Sequence, residues 1–166
     1  MSGRLSILGA DDSATISYIM LKVGILRKMG RCAEAIELCE RNMPRQERVL
    51  GPESCDMDSY FHMALCLDSV GQHQKACQWY DRSVLAYKEF CSPYDIHLCT
   101  TLHKRALSLD AQGLGEEALE DYNAARDGYK RVLPADDPDI AGCLVGLGPL
   151  TLLPDEDGGG FYRKCV

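Results

Sequence analysis

The chain has 166 residues, 46% of them apolar and 26% charged, which is the composition of one ordinary globular domain. Eighteen basic and twenty-five acidic side chains leave a net charge of −7, disfavouring a nucleic-acid backbone as partner. No stretch is long and apolar enough to span a membrane, and the opening "MSGRLSILGADD" has too short an apolar run for a secretion signal.

Residues 1–12 read as a segment preceding the first helix. From there the chain repeats itself. In the first unit Ile19, Val23 and Leu26 form an apolar stripe at helical spacing, Gly30 follows, and Ala35, Cys39, Asn42 and Gln46 form a second stripe. The second unit has Tyr60, Ala64 and Leu67, then Gly71, then Ala76, Tyr80, Ser83 and Tyr87. The third has Leu102, Ala106 and Leu109, then Gly113, then Ala118, Tyr122, Ala125 and Tyr129. Each unit is predicted to be helix, glycine turn, helix, because glycine ends a helix in the left-handed region without a Cβ clash. Pro52, Pro93, Pro134 and Pro138 punctuate the linkers. A fourth first-helix begins after "LPADDPDI", where Asp139 and Ile140 echo Asp95 and Ile96 and Leu144 lies forty-two residues after Leu102.

Glycine, then a charged residue and alanine four and five positions on, then usually an aromatic at the ninth, resembles the tetratricopeptide (TPR) repeat. The spacing here is 41–42 residues instead of the usual ~34. Together with the linkers "VLGPESCD" and "VLPADDPDI", it resembles the kinesin-light-chain variety. The resemblance covers residues 13–147 and implies an all-α, right-handed α-solenoid of antiparallel helix pairs, about three and a half repeats long, with a non-repeat tail over 148–166. Lone helical hairpins cannot hide their apolar faces, whereas stacked neighbours bury a continuous core. Trp79, Tyr80 and Tyr87 are accordingly read as packing residues. Where the family favours leucine this chain has Lys22, Met63 and Arg105, and Gly24 interrupts the first helix, making the first unit the most degenerate.

Catalytic signatures for phosphate binding, zinc proteolysis or serine nucleophiles are missing from the sequence. His97, Cys99 and His103, with Cys91 in reach, come nearest to a metal set, but ordinary helix side chains explain them better. Nine cysteines, an odd number without C-x-x-C, read as reduced thiols; Cys39, Cys66 and Cys77 lie among apolar residues. Glu116 and Glu117 suit the first turn of a helix. The reading is a cytoplasmic protein with no catalytic residue, cofactor or metal.

What the resemblance implies for function is a scaffold or adaptor. The first helices of TPR units line a concave groove that receives a peptide or partner helix. The matching positions are Met20, Gly24, Arg27 and Lys28; Phe61, Leu65, Asp68 and Ser69; and His103, Leu107, Asp110 and Ala111. The groove would be basic at its amino end and acidic further on. The Lys/Asn carboxylate clamp of some TPR proteins is absent from these positions, disfavouring chaperone tails. The alternative is a regulatory or sensor module, or a piece of a larger multidomain protein, packing against another domain. Gly148-Pro149 ends the fourth unit early. A fragment, a self-associating end, or a tail whose Leu150, Leu152 and Leu153 fold back as a cap are the three readings of that end.

Overall fold

The computed structural model describes residues 13–50 and 57–148, the side chains of 13–17, 20 and 45–50 excepted. The segment 1–12, the first linker and the tail with its three leucines lie outside the described residues, as does the side chain of Gln46. Among the described residues there are seven α-helices and no strand: α1 (Ser13–Lys28), α2 (Cys32–Leu50), α3 (Met57–Ser69), α4 (His73–Phe90), α5 (Ile96–Ala111), α6 (Gly115–Val132) and α7 (Pro138–Leu147). They fall into two compact units, Met1–Ala86 and Tyr87–Val166, with the boundary inside α4.

The three turns are built identically. Gly30, Gly71 and Gly113 have φ of 73°, 76° and 77°. Each glycine N–H donates three residues back, to the carbonyls of Arg27, Asp68 and Asp110, at 2.9 Å. The next N–H, of Arg31, Gln72 or Leu114, reaches back to Leu26, Leu67 or Leu109 at 2.9, 2.9 and 3.0 Å. This is the Schellman closure, which satisfies the last carbonyls of the outgoing helix. The carbonyls of Arg31, Gln72 and Leu114 then accept from Ala35, Ala76 and Ala118, starting the returning helix.

In the first unit the core joins Ile19, Val23 and Leu26 of α1, Ala35, Cys39 and Met43 of α2, Met63, Ala64, Cys66 and Leu67 of α3, and Ala76 and Tyr80 of α4. Tyr60, expected inside, is half-buried beside Trp79, with ring centroids 5.8 Å apart. Trp79 is itself half-buried, and Arg82 lies over its ring at 4.6 Å. Tyr80 and Tyr87 are buried as expected. Ser83 Oγ donates to the Met57 carbonyl at 3.1 Å, tying the far ends of α3 and α4.

In the second unit Leu98, Leu102, Ala106 and Leu109 of α5 pack with Ala118, Tyr122, Ala125 and Tyr129 of α6 and with Ile140, Cys143 and Leu147 of α7. Glycines let these helices approach. A Cβ on Gly128 would run into the Cys99 sulfur, one on Gly142 would sit 2.9 Å from the His103 ring, and one on Gly146 would penetrate the Tyr122 ring. Arg105, at a position where leucine was expected, makes a bidentate pair with Asp121 at 2.6 and 2.7 Å. That pairing is what permits Asp121 to be buried.

The fourth first-helix is present as α7, but its register is corrected. Asp95 caps α5 by accepting from the His97 and Leu98 N–H groups, at 2.8 and 3.4 Å. The residue that does this for α7 is Asp137, accepting from Asp139 at 2.9 Å. Asp137 lies forty-two residues after Asp95, so Ile140 corresponds to Leu98 and the Asp-Ile echo is two residues out of step. Pro138 takes the first helical position, where its missing N–H costs nothing, and Gly148 at φ 70° ends the helix.

A Cβ on Gly71 would meet nothing within 4 Å, so its only requirement is the positive φ. Gly71→Ala should therefore cost about 1–2 kcal/mol in urea unfolding, and Gly71→Asn less, since asparagine visits the left-handed region more readily. Equal stability of all three proteins would show that the turn does not depend on that conformation.

Candidate functional site

In the first unit the expected groove residues converge on Tyr80. Asp68, on the last turn of α3, accepts from the Tyr80 hydroxyl through Oδ2 at 3.1 Å. Its Oδ1 lies 2.7 Å from His73 Nδ1. The Phe61 ring sits two turns further back, 6.1 Å from the Tyr80 ring. Burial, then the nearby Asp68 carboxylate, pushes the Tyr80 hydroxyl far up, and the Arg27 charge acts in the opposite direction. Arg27 also opposes the rise of the Cys66 thiol. Its Nε is buried and finds no hydrogen-bond acceptor among the described residues. Lys28 is exposed, and the Met20 side chain lies outside the described residues.

Phe61 and Leu65 are half-buried and packed against the core. The one-residue offset from the core stripe therefore leaves Phe61 partly accessible without freeing it from the core. Ser69 is exposed and turns back to donate to the Leu65 carbonyl at 2.8 Å.

In the second unit Asp110 repeats the arrangement of Asp68, its Oδ2 accepting from Tyr122 at 3.2 Å. Leu107 and Ala111 are exposed. His103 corrects the expectation that its position faces a groove. It is buried, edge-on to Tyr122 and Tyr129 at 5.9 and 6.3 Å, and it faces Gly142 of α7. Desolvation, with Lys104 adding, lowers its pKa, against a smaller opposing effect of Asp139.

The Asp–Tyr bond was missed by sequence reasoning, although its signal is present: aspartate three before the glycine and tyrosine nine after, in the second and third helix–turn–helix repeats. In the first repeat those places hold Arg27 and Cys39. The aspartates thus serve the core first, and the acidic end of the expected groove is largely engaged.

His97, Cys99 and His103 do not converge. His97 is exposed with its ring parallel to Tyr87, 6.2 Å between centroids, while Cys99 is buried beside Gly128. Among the described residues no group of three or more His, Cys, Asp or Glu is placed to hold a metal ion. Burial pushes the thiols up, Cys39 to about 12 and Cys66 and Cys143 to about 11, the opposite of an activated cysteine. Among the described residues no helix is long and apolar enough to cross a membrane.

Repeated helical hairpins closed by left-handed glycines, with alanine where helices cross, define an all-α repeat protein of the solenoid class. Two family models of the tetratricopeptide repeat match it, over residues 13–89 and 98–139. The chain belongs to the tetratricopeptide-repeat family, whose repeats generally mediate protein–protein interaction, and its repeats are of the kinesin-light-chain-like kind. Among solved structures, it is similar to the nearly identical TPR-like repeats of a Podosopora anserina protein described as a kinesin light chain. The TM-score is 0.71 at 19% identity, over 80% of this chain and 64% of that one. A single-substitution variant of that protein gives 0.73 at 18% identity, over 84% and 66%. At such identities the likeness is one of fold, and this chain spans less than two thirds of either neighbour. No curated protein sequence matches it.

The lowered pKa of His103 has a pH consequence. A base whose folded pKa lies below its unfolded value of about 6.5 binds protons preferentially in the unfolded chain. Its contribution is complete above that value and is lost as pH falls through and below it. Between pH 7.5 and 5.5 the unfolding free energy should fall more steeply for the parent protein than for His103→Gln. Parallel curves in urea titrations at several pH values would show that the site tolerates the charged ring.

Proposed function

We propose that this protein is a non-catalytic interaction module that binds a peptide or partner helix along its first helices, working as a scaffold or adaptor. The observation that carries this reading is Arg27. It brings a charge to the Tyr80 cluster, to which the half-accessible Phe61 also belongs, and its buried Nε has no acceptor among the described residues. A buried donor without a partner is costly, and a carboxylate or carbonyl from a bound segment would satisfy it. Lys28 beside it adds positive charge, and Phe61 with Leu65 offers an apolar seat. The occupant is therefore an extended or helical segment carrying an acidic residue within a turn or two of an apolar one. The described cysteines are free thiols, which suits a reducing compartment, and the cytoplasm is the location we propose on that ground.

A second reading has its own support. The chain spans 64% of its structural neighbour, and only the first helix of a fourth unit lies among the described residues. The same surface would then receive another domain of a longer protein as a regulatory or sensor module.

Peptides selected from a display library on the full chain test the proposal. Recovered sequences should pair Asp or Glu with an apolar side chain. Arg27→Gln should weaken their binding about tenfold or more, as expected for a lost charge-assisted hydrogen bond. Leu85→Ala, on the exposed face of α4, should leave binding unchanged. Unaltered affinity in a folded Arg27→Gln protein would remove Arg27 from the site.

A further inference from the structure

The outer side of α1 differs from that of every other first helix. Tyr18, Leu21, Ile25 and Met29 follow one another at steps of three and four, and they are 47%, 63%, 49% and 61% exposed. At 100° per residue this stripe lies on a third side of the helix, apart from both the core stripe and the Arg27 face. Counted back from the turn glycine, the same places in α3 hold Ser59, His62, Cys66 and Val70. Ser59 and Cys66 are 2% and 0% exposed, and Cys66 shares the core with Cys39 of α2. In α5 the corresponding Thr101 and Ser108 are buried as well. In α3 the two buried places on this side, Ser59 and Cys66, are small, and α3 packs on α2. In α1 this side is uncovered and carries large apolar residues.

The last described helix has the converse feature. Leu144 matches Leu102, which α6 helps to bury to 6% exposure, yet Leu144 is 49% exposed and Val145 79%. The two faces are complementary in charge as well as in apolar character. α1 carries Lys22, Arg27 and Lys28 with no acidic residue, and Lys22 and Lys28 flank its stripe. From residue 132 to 148 there is no Lys or Arg, while Asp136, Asp137 and Asp139 gather at the amino end of α7.

We infer that the α1 stripe of one copy docks on the Leu144–Val145 face of α7 in a second copy. The contact is heterologous, so each copy uses one face as donor and the other as receiver, and assembly proceeds to short chains or a closed ring. It uses neither Arg27 nor Phe61 and stands independently of the proposed peptide site.

Sedimentation velocity and light scattering on the full chain from about 1 μM to about 1 mM test this. The mass should rise with concentration, and less so in high salt. Leu21→Lys with Ile25→Lys should abolish the rise, as should Leu144→Lys with Val145→Lys, with helicity retained. If either pair fails to fold, Ile25→Lys or Val145→Lys alone serves. An equimolar mixture of the two variants keeps one intact α1 face and one intact α7 face, so it should form a dimer and stop there. A parent chain monomeric throughout, as when its own ends cover these faces, overturns the inference. So does a mixture that stays monomeric, or a rise that only the α1 substitutions abolish.

Discussion

The left-handed glycine turn is the constraint on which the rest of the structure depends. Because Gly30, Gly71 and Gly113 adopt nearly the same φ and the same pair of backbone hydrogen bonds, each returning helix leaves its partner in a fixed phase. That phase brings the residue three before the glycine to the residue nine after it, and it buries the alanine five after. A turn residue that left the left-handed region would change the phase, and every side-chain pairing downstream of the turn would shift with it.

Given that phase, the polar groups inside the repeat have little freedom. A tyrosine nine residues past the turn is too large to leave the core and carries a hydroxyl that must be satisfied. Aspartate on the outgoing helix supplies the acceptor in units two and three. Arg105 and Asp121 solve a similar problem as a pair across α5 and α6. These are bonds within a hairpin, and their cost of ordering is shared with the turn that already holds the two helices together.

This explains how much was legible beforehand. Stripes and turn glycines are local features, set by helix geometry, and Ile19, Val23, Leu67, Ala76, Tyr122 and Tyr129 were all placed inside correctly. The binding face was harder, because whether a first-helix residue is free depends on side chains far along the chain. Asp68 and Asp110 read as groove charges until the tyrosines twelve residues on are seen to engage them. His103 is buried against rings of α6 and a glycine of α7, the latter thirty-nine residues away. The two-residue slip at Asp139 arose from matching a dipeptide where the physical equivalence lies in the capping carboxylate.

The first unit departs furthest from the pattern, and those departures share a physical character. Where units two and three place an aspartate and a tyrosine that satisfy one another, unit one has Arg27 and Cys39 at the same two places, and the buried Arg27 Nε finds no acceptor among the described residues. Where α3 and α5 bury the small side chains Ser59, Cys66, Thr101 and Ser108, α1 exposes Tyr18, Leu21, Ile25 and Met29. Internal repeats are consistent at every level, with polar groups paired and apolar groups covered. The first helix leaves both a donor and an apolar stripe for something else to complete, on two different sides. Sites of recognition are where local consistency is given up. By that criterion α1, and not the more regular repeats that follow, is the helix on which the proposed peptide site and the proposed contact between copies both fall.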